Sequence, residues 1–131
     1  MAAADGNQIS PYQLLGGETA VRRLVERFYF VMDEEPRVSA LRAMHAPDLG
    51  PMSERLFDFL SGWLGGPPRY FQRADAKCMG SAHAGFAIDQ AIGDQWMYCM
   101  LRALEDTEAS QEAKDLMIPA LRRMATAFRN R

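Results

Sequence analysis

Apolar residues recur at every third or fourth position along several segments of this chain, and glycine and proline separate those segments. The clearest case is residues 18–32. One face of a helix there would carry a continuous stripe of apolar side chains: Val21, Leu24, Val25, Phe28, Val31 and Met32. Pro36 follows this segment and ends it, because proline cannot continue a helix. A chain with this spacing is expected to fold into helices rather than strands.

The same spacing predicts three further helices. The first begins near Pro51 and ends at the breaker of residues 65–68, the second begins near Asp89, and the third covers residues 110–128. The inner face of the third helix is predicted to carry Leu116, Met117, Leu121, Met124 and Phe128. Pro119 lies within it and is expected to kink the helix or to displace its start. The sequence therefore predicts an all-α domain.

Residues 69–87 interrupt this pattern. They are rich in small residues and show no sustained apolar period, which predicts a loop with at most one short helix near His83. Irregular segments of this length inside a small domain are usually functional. This segment is therefore the first place to look for a site.

The composition excludes several classes of protein. With 131 residues the chain forms one domain, and we assign residues 1–10 to a flexible N-terminal segment and residues 11–131 to that domain. The formal charge of −2 argues against nucleic acid as the main partner. The two cysteines are too few for a disulfide framework, the first residues lack an export signal, and no apolar run approaches the roughly 20 residues that cross a bilayer. We therefore expect a cytoplasmic protein that binds neither nucleic acid nor a membrane.

The sequence contains two histidines, His45 and His83, and both lie in connecting segments, where reactive groups are often presented. A single histidine beside apolar residues is more often a structural group than a ligand. His83, however, has Met79, Phe86 and Ile88 close to it in the sequence, so that its imidazole would lie among large apolar side chains. This setting suits a flat apolar cofactor.

Tyr29 and Trp96 are candidate hydrogen-bond donors to a ligand at such a cofactor. Tyr29 lies beside Phe28 near the end of its predicted helix, and Trp96 lies on the inner face of the helix that begins near Asp89. A phenol O–H or an indole N–H would stabilise partial negative charge on a diatomic ligand. The alternative for both residues is a core position in which the polar atom reaches water.

Two other chemistries have weaker support. Cys78, His83 and Cys99 could supply three ligands to zinc, but the chain has no Cys-x-x-Cys pair and no pair of histidines at helical spacing. A serine nucleophile would need a strand–turn–helix elbow, and no serine lies in one.

At these residues the sequence resembles the group II truncated haemoglobins, short globins that fold as a two-over-two helical sandwich around haem. The similarity covers nearly the whole chain, from about Tyr12 to Arg131. It rests on short motifs that have the order and separation found in the family: Gly16-Gly17, Phe28-Tyr29, Trp63-Leu64-Gly65-Gly66-Pro67 with Tyr70, His83 with Phe86 and Ile88, and Asp94-Gln95-Trp96 with Cys99-Met100. The resemblance implies an all-α truncated globin with an irregular segment before the proximal histidine.

The resemblance also implies a role for each candidate residue. His83 would be the proximal ligand of the haem iron, Tyr29 and Trp96 the distal donors, and His45 a polar residue at the pocket mouth. Met52 stands where many globins have a histidine, so distal control would rest on Tyr29 and Trp96. The residues expected to contact the haem are Phe28, Met52, Arg55, Leu56, Phe59, Tyr70, Arg73, Lys77, Met79, Phe86 and Ile88. When no external ligand is present, Tyr29 or His45 is an alternative sixth ligand of the iron.

The sequence departs from the family just before the proximal histidine. Family members usually carry a Gly-His-Pro turn followed by arginines that meet the haem propionates, but this chain has Gly80 and Ala82 at two of those positions. Paired arginine–carboxylate contacts are the strong form of this clamp. Haem would therefore be held less tightly unless other groups substitute, and the candidates are Arg55, Tyr70, Arg73 and Lys77. Cys78 in this segment is predicted to be a buried, inert thiol, with a redox site as the alternative.

The function implied is that of a haem b protein that reversibly binds oxygen, nitric oxide and carbon monoxide. Peroxidase-like activity or nitric oxide oxidation would require an external electron donor, because the chain carries no reductase module. One alternative is a non-enzymatic globin-fold sensor or interaction domain with weak or lost haem binding, which the missing arginines favour. Another is a helical bundle whose histidines are only structural. We expect a monomer or a homodimer.

Overall fold

All regular secondary structure that the computed structural model describes, over residues 9–131, is helical. Residues 1–8, which make up most of the N-terminal segment expected to be flexible, lie outside the described residues. In chain order the α-helices are α1 (Pro11–Leu15), α2 (Gly17–Glu34), α3 (Ser39–Ala43), α4 (Gly50–Trp63), α5 (Met79–His83), α6 (Gln90–Asp106) and α7 (Gln111–Ala127), with 3-10 turns at Pro36–Val38 and Tyr70–Gln72. The predicted all-α class is confirmed.

Side-chain caps define where the two last helices begin. Asp89 Oδ1 accepts a hydrogen bond from the Ile92 backbone N–H at 2.9 Å at the start of α6, as the aspartate in the sequence predicts. Ser110 Oγ accepts one from the Ala113 N–H at 3.1 Å at the start of α7. Pro119 lies inside α7, and the helix begins at the predicted position, so this proline does not displace its start.

The sequence pattern misses α1, which a capping box holds in place. The Ser10 side chain accepts from the Gln13 backbone N–H, and the Gln13 side chain accepts from the Ser10 N–H. The Tyr12 backbone N–H donates to the Leu64 carbonyl at 2.9 Å. This bond ties α1 to the end of α4.

Two pairs of helices, α2 with α4 and α6 with α7, enclose the core. The pairs meet where α2 packs against α6. This is the two-over-two arrangement that the resemblance implies. The largest side chains that are fully enclosed come from all four helices and from the residue after α4: Phe28, Phe57, Leu24, Met32, Leu60, Leu64, Met100, Leu104, Met117 and Leu121. None of the helices within residues 9–131 combines the length and the hydropathy needed to cross a membrane.

Helical periodicity misassigns a few side chains near the edges of the apolar faces. Leu116 is 54% exposed, so its predicted place on the inner face of α7 is wrong. Phe57 of α4, for which the sequence pattern predicts no core position, is buried, with the Arg22 guanidinium 3.8 Å from its ring centroid. The reason is that α2 and the Arg22 stem cover the side of α4 that carries Phe57, and this contact depends on how the helices pack.

Gly66 lies at a close approach between the end of α4 and α1. A Cβ atom at this position would be 2.5 Å from Cδ1 of Tyr12. We expect Gly66→Ala to lower the free energy of unfolding by about 1–3 kcal/mol, because the ring or the backbone must shift to make room. Denaturant unfolding followed by circular dichroism would measure this change.

Gly80→Ala is the matched control for that prediction. Gly80 lies within α5, and a Cβ atom there would have no neighbour within 4 Å. We expect this variant to be unchanged or to gain up to about 1 kcal/mol, because alanine favours the helix and restricts the unfolded chain. A loss of stability equal to that of Gly66→Ala would contradict the steric explanation.

Candidate functional site

His83 is the last residue of α5, inside the otherwise irregular segment that the sequence predicts. Its Nδ1 lies 2.7 Å from the Met79 carbonyl oxygen, one helical turn earlier. Because a carbonyl only accepts hydrogen bonds, Nδ1 carries a proton, and in the neutral imidazole the Nε2 lone pair is then available. Histidines that bind metals usually have this arrangement, in which a backbone carbonyl sets the tautomer.

Tyr29 and Trp96 both contact Phe28, and Tyr29 in turn contacts His45. The ring centroids of Phe28 and Tyr29 are 4.9 Å apart, those of Phe28 and Trp96 are 5.2 Å apart, and those of Tyr29 and His45 are 6.1 Å apart. Phe28 and Tyr29 come from α2, Trp96 from α6, and His45 from the connection after α3. The structure therefore groups the residues expected on the distal side, while His83 makes its aromatic contact with Phe128.

The polar atoms of Tyr29 and Trp96 remain available to a ligand. Within residues 9–131 neither the Tyr29 hydroxyl nor the Trp96 indole N–H has a hydrogen-bond partner. Among the described residues no polar side-chain atom is both fully buried and unpartnered, so these two donors must reach accessible space. Burial, and then the neighbouring Cys99 thiol, raise the pKa of the Tyr29 hydroxyl well above its usual range. Tyr29 therefore stays a donor at neutral pH.

His45 is held by a second histidine–carbonyl bond. Its Nδ1 donates to the Leu41 carbonyl at 2.9 Å, and its ring is half-buried. The Leu41 backbone N–H in turn donates to Oε1 of Gln95 on α6, also at 2.9 Å. Gln95 thus ties α3 to α6 at the residue before Trp96.

The cationic side chains expected near haem propionates are largely paired with carboxylates. Asp75 accepts from Arg55 at 2.7 Å and from Arg73 at 3.0 Å, and Arg73 also donates to Asp58 at 2.7 Å. The bond from Arg73 and the charge of Arg55 lower the pKa of Asp75. Lys77 is exposed and has no ion pair among the described residues.

Tyr70 fixes the backbone of the same segment. The side chain is buried, and its hydroxyl donates to the Lys77 carbonyl at 2.9 Å and accepts from the Lys77 N–H at 3.2 Å. Its ring packs edge-on against Phe59. The Tyr70 hydroxyl therefore already has two backbone partners and would have to give one up to reach a propionate.

The apolar residues expected to contact haem occupy different environments. Met52 is 44% exposed and Phe86 is 45% exposed, whereas Ile88 is buried. Leu56 and Phe59 are partly buried against the core, and Met79 is half-buried. Met52 and Phe86 are therefore accessible to a ligand.

Cys78 is exposed, so the prediction of a buried thiol is wrong. It lies at the N-cap of α5, where its Sγ accepts from the Ser81 backbone N–H at 3.4 Å and contacts Ser81 Oγ at 3.0 Å. These hydrogen bonds lower the pKa of the Cys78 thiol. Burial, and then the charge of Glu35, raise the pKa of the Cys99 thiol to about 12.

The two thiols are expected to differ in reactivity. In the folded protein an aromatic disulfide reagent should modify Cys78 and leave Cys99 intact, because attack requires an accessible thiolate. Denaturation should expose the second thiol. The measurement is thiol release followed by absorbance, with Cys78→Ser as the control that removes the fast reaction; a fast reaction in that variant would contradict the assignment.

The zinc alternative has no support in the part of the chain that the structure describes. No group of three or more histidine, cysteine, aspartate or glutamate side chains there is arranged to hold a metal ion. Cys78 is exposed at the start of α5, and Cys99 is buried on α6 within the core. A single histidine with a free Nε2 is instead suited to a metal whose other ligands come from a cofactor.

Comparison with known proteins gives consistent matches along almost the whole chain. The family model of bacterial-like globins matches residues 10–130. The group 2 truncated hemoglobin YjbI of Bacillus subtilis strain 168 is 27% identical over 112 residues, which cover 86% of this chain and 82% of that protein.

Solved structures match equally well. A cold-adapted truncated hemoglobin from the Antarctic marine bacterium Pseudoalteromonas haloplanktis TAC125 superposes with a TM-score of 0.89 at 32% identity, covering 94% of this chain and 99% of its own. A group II 2-on-2 hemoglobin from the plant pathogen Agrobacterium tumefaciens has a TM-score of 0.89 at 31% identity, covering 95% of this chain and 96% of its own.

Three residues near the candidate site have no role predicted from the sequence, although Gln95 lies in the Asp94-Gln95-Trp96 motif of the family resemblance. Phe128 fits the apolar period of α7, which predicts only a core position, and Gln95 and Asn130 are ordinary polar residues in the sequence. Their contacts to His83, Leu41 and the backbone near Ile88 join parts of the chain that lie far apart in sequence. Periodicity and local motifs do not detect such contacts.

Proposed function

Because this chain belongs to the bacterial-like truncated globin family, with group II truncated haemoglobins among its relatives, we propose that it binds haem b through His83 and reversibly binds oxygen. Nitric oxide and carbon monoxide are expected to bind at the same position. The family supports a haem-binding, oxygen-related role, and the assignment of residues rests on their geometry.

The observation that carries the proposal is the tautomer of His83. Its Nδ1 donates to the Met79 carbonyl at 2.7 Å, so that the free Nε2 presents a lone pair. Haem would supply an iron atom with a further position for a diatomic ligand. His83 would bind that iron through Nε2, and the exposed apolar side chains of Met52 and Phe86 would be able to contact the ring.

Tyr29 and Trp96 would act on a diatomic ligand by donating hydrogen bonds. Both donors reach accessible space and lack partners within residues 9–131, so neither must break an internal bond to serve a ligand. Phe28 packs against both rings and keeps them in place. Each hydrogen bond to a partly charged ligand oxygen is expected to contribute about 1.5–3 kcal/mol.

The hold on the haem propionates is expected to be weaker than in family members that carry two arginines before the histidine. Arg55 and Arg73 share Asp75, so a propionate would have to compete with that carboxylate for them. This pairing favours the second candidate function, a globin-fold interaction domain with weak haem binding. Peroxidase-like activity or nitric oxide oxidation stays a prediction that depends on an external electron donor.

Absorption spectra of the purified protein test the proposal. The protein as purified, or after addition of equimolar haemin, should show a Soret band, and the ferrous form should give a new band with carbon monoxide. A folded protein that does not bind haemin at micromolar concentration would contradict the proposal and support the interaction domain.

Removal of the distal hydroxyl is expected to weaken oxygen binding. Tyr29→Phe should raise the rate constant of oxygen dissociation by about tenfold or more, because one hydrogen bond to the ligand is lost. Trp96→Phe should change it in the same direction. The measurement is stopped-flow displacement of oxygen by carbon monoxide.

Tyr98→Phe provides the matched control for Tyr29→Phe. The Tyr98 hydroxyl donates to Glu35 at 3.0 Å and accepts from Arg102, so it is already bonded to other side chains. This variant should leave the oxygen dissociation rate unchanged. Equal effects of the two substitutions would show that Tyr29 does not donate to the ligand.

A further inference from the structure

The segment that follows α7 is bonded to the loop that joins His83 to α6. Asn130 Oδ1 accepts from the Ile88 backbone N–H at 2.9 Å, and Asn130 Nδ2 donates to the Phe86 carbonyl at 2.7 Å. The backbone N–H groups of Asn130 and Arg131 both donate to the Ile88 carbonyl, at 2.9 and 3.2 Å. The Asn130 side chain therefore pairs with one backbone N–H group and one backbone carbonyl group of this loop.

Phe128 covers one face of the His83 ring. The two ring centroids are 4.2 Å apart, and the ring planes differ by 6°. Phe128 is the residue that caps the C-terminal end of α7, two positions before Asn130. The same short segment thus contacts both the imidazole and the loop behind it.

The contacts of Phe128 and Asn130 restrict the orientation of the His83 ring, which the hydrogen bond to the Met79 carbonyl alone does not fix. The bond from Nδ1 to the Met79 carbonyl selects the tautomer, but the torsion between Cβ and an imidazole ring is broad, so one bond leaves the ring free to tilt. A parallel aromatic ring on one face restricts that tilt. The hydrogen bonds of Asn130 hold the backbone after His83 at a fixed position relative to Phe128.

We infer that Phe128 and Asn130 are positioning residues for His83, with Phe128 fixing the orientation of the imidazole and Asn130 fixing the loop that follows it. The inference rests on the proposed function, in which His83 Nε2 is the iron ligand. Neither residue would itself bind the iron. They act by setting the direction in which Nε2 presents its lone pair.

The test of Asn130 first uses protein without haem. In Asn130→Ala, hydrogen exchange at the Ile88 amide should be about five- to tenfold faster than in the parent protein, because its acceptor is lost. Arg129→Ala is the control. Within residues 9–131 the Arg129 side chain donates a hydrogen bond to the Arg131 carbonyl and to no group of the loop, so this variant should leave the Ile88 amide unchanged.

The test of Phe128 uses haem-loaded protein. Phe128→Leu should shift the iron–imidazole stretching frequency in the resonance Raman spectrum of the ferrous form, and should speed haem transfer to an excess of a scavenging apoglobin by about tenfold. Phe128→Tyr keeps a flat ring and should retain the parent frequency. A purely structural role for Phe128 would change stability without changing that frequency.

The outcomes separate this inference from the proposed function. A parent protein that shows no Soret band contradicts the proposed function. A parent protein that binds haem through His83, with the same iron–imidazole frequency in Phe128→Leu and Phe128→Tyr, overturns the positioning role of Phe128. Unchanged exchange at the Ile88 amide, or an unchanged iron–imidazole frequency in haem-loaded Asn130→Ala, overturns the role of Asn130. If Asn130→Ala does not fold, Asn130→Leu, which keeps a side chain of similar size without the amide, takes its place in the same measurements.

Discussion

His83→Gly is expected to abolish the Soret band of the haem-loaded protein or to change it strongly, and to speed haem loss by at least on the order of 100-fold. Changes in the residues around a metal ligand alone typically cost 10- to 100-fold in affinity, so loss of the ligand itself should exceed that range. The α5 helix has five residues, and the change should leave the four core helices intact. Added imidazole should occupy the space left by the side chain and restore much of the band.

His45→Gly is the matched control, because His45 has the same local geometry as His83. Both rings are half-buried, and the Nδ1 of each donates to the carbonyl four residues earlier. His45 lies beside Tyr29, on the side of the donors. Its variant should keep the Soret band. If the spectrum survives His83→Gly and changes with His45→Gly, the two histidines have been assigned to the wrong sides.

Phe28→Ala is expected to lower the free energy of unfolding by about 3–5 kcal/mol, because it leaves a cavity at a fully enclosed position. Phe28 is 0% exposed, and its ring contacts both Tyr29 and Trp96. Domains of this size are stable by only about 5–15 kcal/mol, so this single change removes a large share of the total. Denaturant unfolding of parent and variant in the same haem-bound state gives the difference.

Phe30→Ala tests whether burial rather than residue type causes that loss. Phe30 lies two positions further along α2 and is 51% exposed, with the Arg27 guanidinium 4.5 Å from its ring centroid. An exposed contact of this kind is worth about 0.5–1 kcal/mol. The variant should therefore lose far less stability than Phe28→Ala, and similar losses would contradict the assignment of Phe28 to the core.

The long helices could be predicted because their causes are local. The stripe from Val21 to Met32, the breaker at residues 65–68 and the cap at Asp89 each lie within one helix or beside its ends. The pattern fails where packing decides the outcome. Leu116 fits the period of α7 but is exposed, because a helical stripe is wider than the surface that a neighbouring helix covers.

The candidate site could be predicted from the sequence only through family resemblance. The sequence has only two histidines, and His83 is the one with large apolar residues close to it. These observations are equally consistent with a structural histidine. The ion pairs of Arg55 and Arg73 with Asp75 could not be predicted from the sequence. Carboxylates and guanidinium groups are common on any surface, and only the fold shows which of them are close.

The amino-acid sequence by itself determined that the chain is helical, where its main helices begin and end, and which rare residues are candidates for a site. Apolar spacing and caps act over a few residues, so they can be recognised without the fold. Only the tertiary structure decided that Phe128 lies flat on His83 and that Asn130 holds a loop 42 residues earlier in the chain. Those contacts depend on how α6 and α7 pack, and no local pattern encodes the angle between two helices.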